Sequence, residues 1–146
     1  MLVPIALGIN ITMIPSEVRF IRLEKIVVEG VAEKLEGNFM PSTTNAFMKE
    51  IPLSQVEIIA AKGLVKSHNG NPSIPIEQIG KNFIKSTTDK EGKFRFLLTP
   101  GVYTFFILKD NNAYLNKFDG KGFFKKTIVE KDIYSLVLKF DRNAYY

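Results

Sequence analysis

The clearest pattern along the chain is an alternation of apolar and polar residues followed by a run that is apolar on both faces. Phe94, Phe96 and Leu98 occupy alternate positions, and this two-residue period is typical of a strand with one buried face. The run 102–108 is apolar apart from one tyrosine and one threonine. A strand buried on both sides has this composition, so we predict that 102–108 lies centrally in a sheet.

Turn signals bracket these two strands. Asp89 with Gly92 three residues later suits a type I turn, in which aspartate caps the turn and glycine tolerates the left-handed position that follows. Pro100-Gly101 fits the two central positions of a type II turn, because proline presets φ and glycine supplies a positive φ. The stretch 88–108 is therefore predicted to be turn, strand, turn, strand.

Weaker patterns of the same kind predict further strands. They lie at 23–33, 55–61 and 82–87, and in a last hairpin formed by 125–129 and 133–140 through the link 130–132. Gly30 lies inside the first of these, where a glycine often marks a bulge or a close backbone approach. Polar, Pro- and Gly-rich stretches predict a turn at 36–38 and loops at 39–51, 66–75 and 109–122. The segment 76–80 is either a short helical turn or an irregular link.

This pattern predicts an all-β fold. Seven or eight strands at even spacing, with no long helix and no internal repeat, are typical of a sandwich or barrel. Two packed sheets are favoured over a barrel because the loops are long enough to cross between sheets. At 146 residues the chain is one domain with a self-sufficient core.

The first 22 residues form a separate N-terminal extension to the predicted domain at 23–146. Residues 5–13 alternate apolar with small or polar side chains, which indicates a strand. The alternative is a degenerate secretory signal, since no Lys or Arg precedes Arg19. The apolar stretch is too short to span a membrane. As a strand it could cover a sheet edge in its own chain or in a neighbour, which would produce an oligomer.

Composition excludes several kinds of chemistry. The chain has no Cys and one His, His68, which rules out disulfides, thiolate nucleophiles and His-cluster metal sites. We predict no cofactor, no metal site and no catalytic residues. The net charge of +5 gives a weak attraction to anionic partners, but it is spread along the chain, and no specific nucleic-acid binding is predicted.

A longer motif resembles the carboxypeptidase regulatory-like domains, which are similar to transthyretin. The motif is Thr88-Asp89-x-x-Gly92-x-Phe94-x-Phe96-x-Leu98-x-Pro100-Gly101-x-Tyr103, joined by Val28-Glu29-Gly30-Val31 and Pro52-Leu53-Ser54-Gln55-Val56 upstream. The tail resembles a bacterial stand-alone subgroup through Gly37-Asn38-Phe39-Met40-Pro41, Tyr114-x-Asn116-x-Phe118-Asp119-Gly120-x-Gly122 and Asn143-Ala144-Tyr145-Tyr146.

The resemblance implies an antiparallel, prealbumin-like β-sandwich of the Greek-key type. It also implies a non-enzymatic accessory or binding module, periplasmic or on the cell surface, that contacts a protein or a glycan. The hydrolase branch of the transthyretin-like fold has several histidines and a C-terminal Tyr-Arg-Gly-Ser, whereas this chain has one histidine and ends in Ala144-Tyr145-Tyr146. A small hydrolase is therefore the least favoured alternative.

The segment 114–126 holds the candidate binding residues. Loops at the end of a sandwich often carry recognition, and here lysines alternate with aromatic side chains in a way that suits an anionic polymer or carbohydrate. The alternative is structural: the phenylalanines anchor the loop, the lysines remain solvated, and an aromatic residue followed by Asp-Gly forms a turn. The candidate residues are Tyr114, Asn116, Phe118, Asp119, Lys121 and Lys125.

Other catalytic interpretations are weaker. His68 lies among small polar residues, as an exposed loop histidine would. Asp110, Asp119 and Glu130 could pair as catalytic carboxylates, but turns select acidic residues anyway. A calcium loop from Asp110 fails because Lys121 takes the place of the bidentate glutamate.

Overall fold

The computed structural model describes residues 24–38 and 49–145, and these form an all-β sandwich, as predicted. One short 3-10 turn, Ile76–Ile79, lies within the predicted 76–80 segment. The strands of the described part are β1 Ile26–Asn38, β2 Lys49–Pro52, β3 Glu57–Lys62, β4 Ser73–Pro75, β5 Phe83–Thr87, β6 Lys93–Leu98, β7 Gly101–Lys109, β8 Asn112–Tyr114, β9 Thr127–Val129 and β10 Ile133–Tyr145.

The strands form two sheets. In the first, β1 pairs with β10 on one side and with β6 and then β2 on the other. The change of partner occurs at Ala32, whose N–H donates to the Gly92 carbonyl at 2.8 Å while its carbonyl accepts from the Leu53 N–H at 2.9 Å. The second sheet has the order β4-β8-β7-β3-β5, and β9 also pairs with β7.

The interior between the sheets is rich in phenylalanine. Phe94, Phe96 and Leu98 are buried and share one face of β6, which confirms the predicted alternation. The Phe96 ring centroid lies 5.7 Å from that of Phe105 on β7, so aromatic packing joins the two sheets. Such pairs stabilise a core beyond the area that they bury.

β7 is buried on both faces, and its predicted central position is confirmed. Residues 103–107 are all buried, and β7 pairs with β3 along one edge and with β9 and β8 along the other. The face of β7 that points away from the sandwich interior carries Thr104 and Phe106. Phe106 packs edge-to-face on Phe124, with ring centroids 5.0 Å apart.

The predicted turn at Asp89 is confirmed. Its Oδ1 accepts from the N–H groups of Glu91 and Lys93, both at 2.9 Å, and Gly92 has a φ of 78°. The type II turn predicted at Pro100-Gly101 is wrong, because Gly101 has a φ of 158° rather than about 80°. Tyr103 closes this connection, since its hydroxyl donates to the Thr99 carbonyl at 2.8 Å.

The predicted last hairpin is also wrong. β9 pairs with β7 in the second sheet, whereas β10 runs parallel to β1 in the first. The link 130–132 therefore crosses between sheets instead of turning back within one. Asp132 holds the crossing in place, because its Oδ1 accepts from the Val27 N–H at 2.9 Å. The expected antiparallel sandwich thus contains one parallel pair of strands.

The remaining differences lie in three short strands and in the end of β1. The predicted loops 109–122 and 66–75 contain β8 and β4, the end of 39–51 belongs to β2, and the predicted turn 36–38 lies in β1. These strands are held by backbone pairing and need no alternation of side chains. The described part consequently has ten strands rather than seven or eight.

The predicted N-terminal strand at 5–13 and most of the 39–51 loop lie outside the described residues. The extension, and the oligomer that it would allow, remain predictions.

Gly30 is the close backbone approach that the sequence predicts. Pairing between β1 and β10 shifts register between Val28 and Gly30, which brings the β10 backbone against the glycine. A Cβ at Gly30 would collide with the Leu136 carbonyl oxygen and would lie 2.8 Å from Cζ of Phe94. No side chain fits there unless the two strands separate.

We therefore expect Gly30→Ala to lower the free energy of unfolding by about 1–3 kcal/mol, as overpacked cores do. Urea unfolding followed by circular dichroism would measure the change. Gly70→Ala is the control: a Cβ there meets nothing within 4 Å, and the substitution disturbs only a positive φ. Equal losses in the two variants would contradict the proposed role of the close approach.

Candidate functional site

The six candidate residues fall into two groups. Tyr114 and Asn116 lie at the end of β8, where the second sheet faces β10. The other four, Phe118, Asp119, Lys121 and Lys125, belong to the link between β8 and β9, which covers the outer face of the second sheet.

Tyr114 and Asn116 converge on Asp141 of β10. The Tyr114 hydroxyl donates to the Asp141 carboxylate, and Asn116 Nδ2 donates to Asp141 Oδ2 at 3.1 Å. Tyr114 is only 3% exposed and its ring centroid lies 4.5 Å from that of Phe140. The Tyr114 ring therefore joins the two sheets and offers no open face on which a ligand could stack.

Asp119 organises the turn that contains it. Its Oδ1 accepts from the N–H groups of Lys121 at 2.6 Å and Phe123 at 3.2 Å, and Gly120 has a φ of 80°. The Lys121 N–H is the main reason that the pKa of Asp119 lies below its ordinary value of 3.8. Loss of solvation opposes this shift, and the Phe123 N–H and nearby lysines reinforce it.

The aromatic residues of the link anchor it to the sheet. Phe124 is fully buried, and Phe118, which is half-buried, stacks on it at 5.3 Å between centroids. Lys121 and Lys125 remain exposed. This arrangement agrees with the structural interpretation of the alternating aromatic and basic residues.

A cleft of about 540 Å³ opens beside the first group. It lies between β4, the β7–β8 turn and β10. Its polar lining comes from Asn71, Ser73, Lys109, Asp110 and Asn112, and Phe140 and Tyr114 close its inner end.

The β7–β8 turn supplies most of the polar lining. Asp110 and Asn111 have φ values of 53° and 63°, and Lys109 pairs with Asn112. Two consecutive left-handed residues make a two-residue hairpin, which favours Asp and Asn at these positions. The turn thus presents an ammonium, a carboxylate and an amide side by side.

Only part of this polar surface is used within the protein. Asn71 Oδ1 accepts from the Ser73 N–H at 3.0 Å, and Asn112 Nδ2 donates to the Asp110 carbonyl at 3.2 Å. Lys109 Nζ lies 4.7 Å from the Phe140 ring centroid. Each of these contacts fixes one end of a side chain, so the cleft is largely preformed.

The other chemical candidates do not assemble into a site. His68 is exposed in its loop, and Asp110, Asp119 and Glu130 lie on three separate connections of the fold. Within residues 24–38 and 49–145, no three His, Asp or Glu side chains are grouped so that they could hold a metal ion. No helix in this part of the chain is long and apolar enough to cross a membrane.

A second cleft, of about 650 Å³, lies on the exposed face of the first sheet around Glu29, Arg95 and Tyr134. Glu29 and Arg95 already form an ion pair at 3.0 Å, and Tyr134 donates to Asp132 at 3.2 Å. Because its main polar groups are paired with each other, this cleft is the weaker candidate.

Comparisons with known proteins do not define a family for this chain. No family model matches it, and no curated protein matches it. Among solved structures it is similar to a protein from Pseudomonas aeruginosa that has been proposed to bind carbohydrate, with 12% identity, a TM-score of 0.44, and coverage of 82% of this chain and 90% of that one.

A second solved structure is the full-length major pilin SpaD from Corynebacterium diphtheriae. Its identity to this chain is 14% and its TM-score is 0.39, and the likeness covers 82% of this chain and 33% of the pilin. With both TM-scores below 0.5, the resemblance to carboxypeptidase regulatory-like domains is not confirmed.

Anchoring of the link predicts a measurable loss of stability. We expect Phe124→Ala to lower the free energy of unfolding by about 3–5 kcal/mol, because a fully buried ring is replaced by a cavity. Phe123→Ala, at a half-buried neighbour, should cost clearly less. Chemical unfolding of both variants tests this, and equal costs would mean that Phe124 does not anchor the link.

The lowered pKa of Asp119 predicts a pH dependence. Because the folded pKa lies below that of the unfolded chain, the carboxylate stabilises the turn fully above the ordinary value of 3.8. This contribution is lost as the pH falls through the folded pKa. The amide resonances of Lys121 and Phe123 should titrate with a midpoint below 3.8, and Asp119→Asn should remove this titration. A midpoint at or above 3.8 in the wild type would contradict the assignment.

Proposed function

We propose that this protein is a non-catalytic binding module of the bacterial cell envelope, and that it holds a glycan in the cleft between β4, the β7–β8 turn and β10. The observation that carries the proposal is the polar lining of that cleft. Envelope localisation is supported by the family resemblance of the sequence.

A glycan suits the chemistry of the lining. Each sugar hydroxyl both donates and accepts, so it is best bound by a mixed set of groups rather than by a single charge. Asp110 supplies an acceptor, Lys109 a donor, and the side chains of Asn71, Ser73 and Asn112 supply both. At about 540 Å³ the cleft falls in the size range of small-ligand sites.

Two alternatives remain. The first is an anionic polymer on the 114–126 region, which is favoured by the exposed Lys121 and Lys125. The second is a small hydrolase, which would need a nucleophile with an adjacent base. The acid that lines the cleft is Asp110, and His68 is not among its lining residues, which supports a binding role over a catalytic one.

Loss of glycan binding on mutation of the cleft tests the proposal. We expect Asp110→Asn and Asn112→Ala each to weaken binding by about tenfold or more, because hydrogen bonds to charged groups contribute about 1.5–3 kcal/mol and neutral ones about 1. Asparagine keeps the left-handed backbone that position 110 requires. Retention on a glycan array followed by titration calorimetry would measure the effect.

Glu91→Gln is the matched control for Asp110→Asn. It removes one negative charge from the exposed Asp89–Gly92 turn, away from the cleft. A wild-type protein that retains no glycan, or cleft variants that bind as the wild type does, would refute the proposed site.

A further inference from the structure

Five exposed lysines lie on two segments of the chain that the backbone holds together. They are Lys66, Lys117, Lys121, Lys125 and Lys126, hereafter the lysine face. Backbone contacts bring their two segments together: the Ser67 N–H donates to the Gly122 carbonyl and the Phe124 N–H to the Val65 carbonyl, both at 2.9 Å. Within the link, the Lys125 N–H donates to the Lys117 carbonyl at 3.0 Å.

Acidic side chains of the described residues do not neutralise the charge of the lysine face. Asp119 is the one acid between positions 117 and 126, and its Oδ1 accepts from two backbone N–H groups. Among the described residues, ion pairs form at Lys34, Lys85, Arg95 and Lys139, and none includes a lysine of this face. Counting Asp119, the face carries a net charge of +4, whereas the whole chain carries +5.

The lysine face has a fixed backbone. Phe124 is fully buried beneath it and stacks with Phe118, and the Asp119 turn holds the segment between these two rings. The lysines therefore project from a framework that needs no ordering when a ligand binds, which lowers the entropic cost of association.

Two segments of the chain run from the lysine face to the residues of the cleft. Residues 66–73 and 114–117 connect the two regions, and the Leu115 N–H donates to the Pro72 carbonyl at 2.9 Å. A polymer long enough to follow these segments from the cleft would reach the lysines. We infer that the ligand is an acidic polysaccharide whose sugar units enter the cleft while its acidic groups contact the lysine face; this inference rests on the proposed function.

Sugar acids fit this surface better than nucleic acid does. Binding of single strands uses exposed aromatic rings on which bases stack, but here Phe118 and Phe124 stack on each other. The five basic residues are all lysines, which act as point charges and lack the planar fork with which arginine recognises phosphates and bases. Charge without stacking suits carboxylate or sulfate groups along a glycan.

The test compares polysaccharides of known charge. The probes are polygalacturonate, alginate and dextran sulfate as acidic polymers, dextran as a neutral one, and single-stranded DNA as a different polyanion. We expect the full-length wild type to bind at least one acidic polysaccharide, to bind dextran and DNA at least tenfold more weakly, and to lose affinity as salt rises.

Lys121→Gln/Lys125→Gln should weaken that binding by about tenfold and make the slope of log K against log salt shallower by about 1 to 2. Lys90→Gln/Lys131→Gln is the matched control, because it removes the same charge from two exposed turns elsewhere. The control should bind as the wild type does.

The outcomes separate the two proposals. If dextran binds as tightly as the acidic polymers and the lysine variant is unaffected, the inference is wrong and the glycan site stands. If DNA binds as tightly, the face is a general polyanion surface and the inference is also wrong. If acidic polysaccharide binds but Asp110→Asn and Asn112→Ala leave its affinity unchanged, the proposed cleft site is wrong. The inference that one polymer contacts both regions is then wrong as well.

Discussion

The burial of β7 on both faces is the constraint on which the rest of the structure depends. A strand with apolar side chains on both faces cannot bury both of them in a two-layer sandwich, because one face of its sheet would remain in water. One face packs against Phe96 across the sandwich, and the other requires a further layer. The link between β8 and β9 supplies that layer through Phe124, so this irregular segment is part of the core and not a surface loop.

The first sheet meets a different constraint, which is the close approach of backbones along β1. Gly30 lacks the side chain that would strike the β10 carbonyl, and a Cβ at Gly92 would lie 2.6 Å from the Ala32 carbonyl oxygen where β1 exchanges β6 for β2. Thr88 adds a buried polar contact at this junction: its hydroxyl donates to the Leu53 carbonyl at 2.6 Å and accepts from the Val56 N–H at 2.8 Å. The two glycines and the threonine let one long strand pair with three others.

These constraints explain which features the sequence could predict. The alternation in β6, the two-sided burial of β7 and the close approach at Gly30 are encoded within a few neighbouring residues, and all three predictions are confirmed. The separation of β9 from β10 was not predictable in this way, because adjacency along the chain favours a hairpin and only the tertiary pairing of β10 with β1 overrules it. β4 and β8 have three residues each, too few for a period to be detected.

In the candidate site, too, local features were predictable from the sequence and features that depend on tertiary pairing were not. The sequence pointed to 114–126, where the turn chemistry of Asp119 and the anchoring phenylalanines are local features. Asn71 and Ser73 could not be placed beside Asn112 from sequence, since they come from a distant loop and reach the cleft only because β4 pairs with β8. Lys66 joins the other lysines for the same kind of reason, through pairing with Phe123.

The separation of aromatic from basic residues in the β8–β9 link follows from the need to bury the outer face of β7. Covering Phe106 requires aromatic side chains on one side of the link, and the polar side chains between them are then directed to solvent. Covering the sheet does not require those exposed side chains to be lysines. Polar residues of either charge would be solvated equally well at these positions. The excess of one sign on an anchored segment is therefore the feature that stability leaves unexplained and that recognition of an acidic ligand would explain.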